Sequence, residues 1–176
     1  MYQMPELNVN LIFLLPVAGL IAYYDIRYRR IPNAYVLATL VGGVAIHSIT
    51  GGLNGLYSSL GGCALAFVLM FMLHIFGAMG AGDVKLFAAI GAVTGSSLVL
   101  PTFLIVILTG GLLAFVSVIR AGVFVMTMQR VAQILVGLLP GWEMPRFSVP
   151  SDRTHTIPYG VAITIGSIIS TAIFAI

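Results

Sequence analysis

Gly77-Ala78-Met79-Gly80-Ala81-Gly82-Asp83-Val84-Lys85 sets three glycines, an acid and a base into an otherwise uncharged sequence. No Asp, Glu, Lys or Arg occurs in 56–76 before it or in 86–119 after it. An ionisable group at membrane depth costs several kcal/mol, roughly 3 on insertion scales, so an acid placed here needs a reason. The glycines let the backbone bend and let another group approach closely. Asp83 reads as half of a catalytic pair, and Asp25 is the acid that fits the other half.

Working outward, the composition sets the class. The chain has 176 residues, 60% hydrophobic and 7% charged, with a mean hydropathy of +1.10. Soluble domains carry about 25% charged residues. The sequence predicts one integral membrane domain over 1–176, with little room for a separate soluble domain. The single cysteine, Cys63, lies in an apolar run, so one chain can form neither a disulfide nor a cysteine-rich zinc site. The first ten residues lack the basic flank of a secretory signal peptide, and the first apolar segment is expected to be retained.

Six apolar segments are long enough, or nearly so, to cross a bilayer: 9–24, 34–49, 56–76, 84–100, 101–119 and 157–176. Thr50-Gly51-Gly52-Leu53-Asn54-Gly55 is expected to turn the chain between the second and third. Thr94-Gly95-Ser96-Ser97 and Pro101 separate the fourth from the fifth. With both termini outside, the cytoplasmic segments are 25–33, 77–85 and 120–156. All eight basic residues fall in these three, and the external segments have none. That is the positive-inside pattern.

Residues 121–139 are apolar enough for a seventh crossing, which would move Arg146 and Arg153 outside. Thr127, Arg130, Gln133 and Gly137 make a narrow polar stripe at helical spacing. The favoured reading is an amphipathic helix lying on the inner membrane surface between helices five and six. The expected fold is thus an all-α membrane protein of six transmembrane helices and one interfacial helix.

Of the five acids, Glu143 and Asp152 read as solvated loop charges and Glu6 as an external tail residue. Asp25 closes the first span and Asp83 opens the fourth, both at the cytoplasmic side. The intervening spans leave and return, so topology sets the two carboxylates at one membrane level. Two carboxylates sharing a site do not ionise equally. The ionised one can activate water and the protonated one can polarise a carbonyl, which suffices for metal-free peptide hydrolysis. Structural roles compete with this: Asp25 balancing Arg27 or Arg29, and Asp83 capping its helix.

Gly80-Ala81-Gly82-Asp83 matches the GxGD signature of intramembrane aspartic proteases. With Val84-Lys85-Leu86 it resembles the type IV prepilin peptidases. Asp25 followed by Ile31-Pro32-Asn33 is similar to their first catalytic motif, and Ile157-Pro158-Tyr159-Gly160 to a third. The resemblance runs from about residue 20 to 176 and implies a multi-pass enzyme of the cytoplasmic membrane. Such an enzyme cuts the short basic leader from prepilins on the cytoplasmic side, typically after a glycine. It implies Asp25 and Asp83 as the dyad, Gly80 and Gly82 as shapers of the turn, and accessory parts for Pro32, Asn33, Lys85, Pro158 and Tyr159. Long members carry a cysteine-containing cytoplasmic domain, tied to N-methylation, after the first helix. Here 26–33 occupies that place, and N-methyltransferase activity is not expected. The short form is similar to the peptidases of tight-adherence (Flp) pilus systems, with archaeal preflagellin peptidases a close second.

The expected partners are a prepilin-like protein and membrane lipid, with no nucleic acid, cofactor or metal. His74 lies near the Asp83 level; as a metal ligand it would need two or three partners, and the sequence offers only Asp25, Asp83 and His155. His47 reads as structural, and Lys85 as a partner for lipid phosphate or for either acid. Two other classes stay open: a proton- or ion-coupled transporter, and a non-catalytic pilus-assembly subunit. A transporter favours acids at the midplane and paired half-helices, and neither is visible in the sequence.

Overall fold

Glycine contacts decide how the helices pack, because apolar surface alone gives helices in lipid little reason to associate. The computed structural model describes residues 5–76, 79–120, 122 and 159–174, with side chains from residue 9. The described residues are helical, with no strand among them. The helices are α1 (Pro5–Tyr28), α2 (Asn33–Ile75), α3 (Ala81–Thr94), α4 (Val99–Arg120) and α5 (Tyr159–Ile173). Among the described residues three stretches are long and apolar enough to cross a membrane: Val9–Tyr28, Asn33–Ile75 and Val99–Arg120. Of the expected interfacial helix over 121–139 only Gly122 is described, in a turn with φ 68°.

Two compact units are distinguished, residues 1–110 with 158–176, and residues 111–157. In the second unit the described part is the end of α4, where Leu112, Phe115, Val116 and Ile119 face outward. The first unit contains the core and the candidate site.

At 43 residues α2 is two arms joined at Gly52, whose φ of 57° and ψ of −137° break the helix. The expected six-residue turn thus shrinks to one residue in a region that only glycine adopts cheaply. The two arms fold back on each other, because both meet the same end of α3. From the first arm, His47 Nε2 lies 2.9 Å from the Val93 carbonyl oxygen. From the second, Ser59 Oγ donates to the Ala92 carbonyl at 2.8 Å. Gly55 comes so close to the His47 carbonyl that no side chain fits between them.

Helix α3 is buried on nearly every side from Leu86 to Thr94. From Leu86 on its sequence, LFAAIGAVT, carries no charge on any side, as the buried part of a central helix must. Leu86, Phe87, Ile90 and Val93 form the core with Leu14 and Ile21 of α1, Met70 of α2, Val99 and Val106 of α4, and Ile163 of α5. Large apolar side chains cover the outside instead, among them Ile12, Leu53 and Leu108. Small residues let α2 and α3 approach closely: Gly62 and Ala66 of α2 lie on Gly91 of α3 and on Gly95 just past its end. A Cβ on Gly91 would stand 2.5 Å from Ala66 Cβ and from the Gly62 oxygen. Gly91→Val should therefore destabilise the fold by about 3 kcal/mol, the upper part of the usual overpacking range. Gly19→Ala, with nothing within 4 Å of the new methyl, should be near neutral. Thermal unfolding in detergent compares the two.

Three boundaries differ from the sequence expectation. Helix α1 runs on to Tyr28 instead of stopping at 24, and ends where Arg29 turns left-handed at φ 49°. The Arg29 amide then bonds the Asp25 carbonyl at 3.0 Å, so Asp25 belongs to the last turns of the helix. Helix α3 stops at Thr94, six residues short of the expected end, because Gly95 takes φ 75°. Helix α4 starts at Val99, so Pro101 lies inside its first turn, where a missing amide hydrogen costs no helical bond.

Candidate active site

Asp25 is 7% exposed. Its carboxylate turns toward the start of α5, where the Val161 amide donates to Oδ2 at 3.2 Å. The first turn of a helix has amides with no partner in the helix, and here one of them is satisfied by an acid from another helix. Gly160 makes the approach possible. A Cβ there would stand 2.7 Å from Oδ2 and 2.9 Å from Cγ of Asp25.

Asp83 is the third residue of α3 and half-buried. Its Oδ2 accepts the Gly80 amide at 3.2 Å, so the acid reaches back to cap its own helix. The capping role weighed against catalysis is therefore present, from inside the first turn. Capping occupies one oxygen at 3.2 Å and leaves the other for a second partner. The charge of Asp25 reaches Asp83. The two acids that the sequence singles out, from helices far apart in the chain, thus lie within electrostatic range of each other.

The two motif glycines differ from the expected turn formers. Gly80 has φ −78° and ψ 153°, which any residue adopts, and Gly82 is helical. Neither needs glycine for its backbone angles. A side chain on Gly80 would press on Asp83 Oδ2, 3.2 Å from the new Cβ. Gly82 is exposed, and a Cβ there would meet only Ile31 Cδ1 at 3.9 Å. Ile31 belongs to the loop between α1 and α2, so the two motif segments adjoin. His74, at the end of α2, has Nδ1 2.8 Å from the Met79 carbonyl oxygen and ties down the segment leading into Gly80. Among the described residues, no group of three His, Cys, Asp or Glu could hold a metal ion.

Residues 12–115, more than half of the chain, match the type IV leader peptidase family. The chain belongs to that family. A "Prepilin leader peptidase/N-methyltransferase" of Bacillus subtilis (strain 168) is 30% identical over 102 residues, or 57% of this chain. The match spans 41% of that relative's length. No solved structure matches the chain. The family match holds Asp25 and the whole Gly80–Asp83 segment but ends before α5, the helix that donates to Asp25.

The remaining motif residues of this leader peptidase family member scatter. Pro32 precedes α2 with φ −65° and ψ 128°, and its carbonyl accepts the Tyr35 amide at 3.1 Å. Asn33 and Lys85 line a separate apolar groove between α2 and α3. Tyr159 opens α5, and its ring lies against Gly110 of α4. Pro158 lies outside the described residues. Two residues that the sequence does not single out for these parts contribute most to the geometry. Gly160 follows Tyr159 in the third motif, and its one signal there is a glycine opening a helix. His74 reads in the sequence only as a candidate metal ligand; its position at the end of an apolar helix is the available signal.

Proposed function

We propose that this chain is an aspartic endopeptidase of the cytoplasmic membrane. It removes the short leader from Flp-like type IV prepilins at the cytoplasmic face, without N-methyltransferase activity. The reading rests on Asp25 and Asp83, two acids otherwise costly in so apolar a chain, lying within electrostatic range of each other in a member of the leader peptidase family. The pair shares one proton. The ionised carboxylate takes a proton from water as its oxygen attacks the scissile carbonyl carbon. The protonated carboxyl donates to the carbonyl oxygen; the first carboxyl then passes the water proton to the leaving amine while the second takes a hydroxyl proton back, so the intermediate collapses and the shared proton is restored. The exposed backbone at Gly82 leaves room for an extended substrate strand beside the dyad. The test is co-expression with a candidate Flp-like prepilin, followed by mass spectrometry of the product. Loss of the leader with an unmodified new N-terminus supports the reading. A full-length substrate counts against it.

In this proposal 1–176 works as one peptidase domain, with α1, the two arms of α2, α3, α4 and α5 as six crossings. Both termini are external and 120–156 is cytoplasmic, as the eight basic residues require. A reporter fused at position 148 should be active only as a cytoplasmic reporter, and one at the C-terminus only as a periplasmic reporter. The reverse pair would overturn the map.

A further inference from the structure

We infer that the groove between the two arms of α2 and α3 is a site for an anionic phospholipid, with one acyl chain in the groove and the phosphate on Lys85. The groove has a volume of about 390 Å³. Val36, Leu37 and Leu40 form its wall on the first arm, and Cys63 and Phe67 form its wall on the second. Ala88 and Ala89 of α3 form its floor, and small side chains there keep it deep. From Asn33 to Leu40 the wall runs about 10 Å along the helix.

Its polarity is one-ended. Asn33 is the first residue of its arm and Lys85 the fifth of α3, so the amide and the ammonium share one end. Everything beyond them is apolar apart from the Cys63 thiol. Lys85 is exposed, and among the described residues it makes no ion pair or side-chain hydrogen bond. A cation in a nearly uncharged chain, placed over an apolar slot at a membrane face, matches a ligand with one negative head and a hydrocarbon tail. The attraction of anionic lipid for a surface lysine supplies the charge term. An apolar peptide helix would fill the slot but leave the ammonium without a counter-ion. The site is independent of the proposed proteolysis, because Lys85 lies two residues past Asp83, about 200° around the helix from it.

Cys63, the chain's single cysteine, is half-buried in the groove and reports on its occupancy. The full chain is purified in detergent and titrated with phosphatidylglycerol or phosphatidylcholine. Native mass spectrometry counts retained lipid, and a membrane-permeant maleimide measures the Cys63 labelling rate. Phosphatidylglycerol should be retained one per chain and slow labelling at least fivefold more than phosphatidylcholine. Lys85→Ala should remove that preference and Lys85→Arg should keep it. Ala89→Phe, which fills the floor, should lower retention of both lipids. Equal retention of the two lipids, or a preference that survives Lys85→Ala, would overturn the site. Protection of Cys63 by a synthetic prepilin helix but not by phosphatidylglycerol would do so too, and would assign the groove to substrate.

Discussion

Asp25→Asn and Asp83→Asn are each expected to lower kcat/KM for leader removal at least about a thousandfold. Acid–base groups contribute roughly a hundred- to ten-thousandfold each, and this pair works as a unit. Asparagine has nearly the same shape, so stability should change by no more than about 1 kcal/mol. The Val161 amide can still donate to the side-chain oxygen at position 25, and the Gly80 amide to the one at position 83. What disappears is the proton exchange, because an amide neither takes a proton from water nor passes one to a carbonyl. Protein yield and melting temperature in detergent, read beside cleavage of a co-expressed prepilin, separate lost chemistry from lost fold. Processing close to the wild-type rate by either variant would remove that acid from the dyad.

Gly160→Ala carries the next largest effect, although it touches no charge. The new methyl would overlap Asp25 Oδ2 and Cγ, at 2.7 and 2.9 Å, where an ordinary carbon contact begins near 3.4 Å. Something must move by most of an ångström. The ends of α1 and α5 are both held by the core, through Ile21 and Ile163, so the carboxylate is the part free to swing. A misplacement of about 1 Å costs on the order of a hundredfold in rate. The expected result is a roughly hundredfold lower kcat/KM with a melting temperature that falls little. Gly19→Ala, whose methyl meets nothing within 4 Å and lies away from the dyad, controls for the loss of a glycine as such. If Gly160→Ala cleaves within threefold of the wild type, the contact between α5 and Asp25 does not position the acid.

The legibility of this molecule follows from the cost of its exceptions. An acid in an uncharged apolar run is expensive, so Asp25 and Asp83 stand out, and the intervening hairpin makes them neighbours. Small residues three apart, such as Gly62 and Ala66 or Gly91 and Gly95, are legible as packing signals, and these two pairs do pack on each other. Gly160 is harder to read. Its part is to leave space for another helix's carboxylate, and a missing side chain has no local pattern. The hairpin of α2 is visible as a glycine cluster, but that a single residue, Gly52, makes the break depends on its backbone angles. Lys85 shows how much a boundary decides. With 77–85 read as a loop, its ammonium could point at either acid. With α3 starting at Ala81, the helical twist turns it toward α2. His74 reaches a carbonyl five residues ahead, a contact set by how α2 ends.

The central claim is that Asp25 and Asp83 are one catalytic unit. The most direct measurement is kcat/KM for leader removal by the purified wild type, both single Asn variants and the Asp25→Asn, Asp83→Asn double variant, in one lipid composition and with a metal chelator present. Groups that act together lose as much singly as jointly. The account predicts undiminished wild-type activity under the chelator, and both single variants as inactive as the double. A single variant that keeps more than about a tenth of the activity, or a double loss equal to the product of two modest ones, would contradict it.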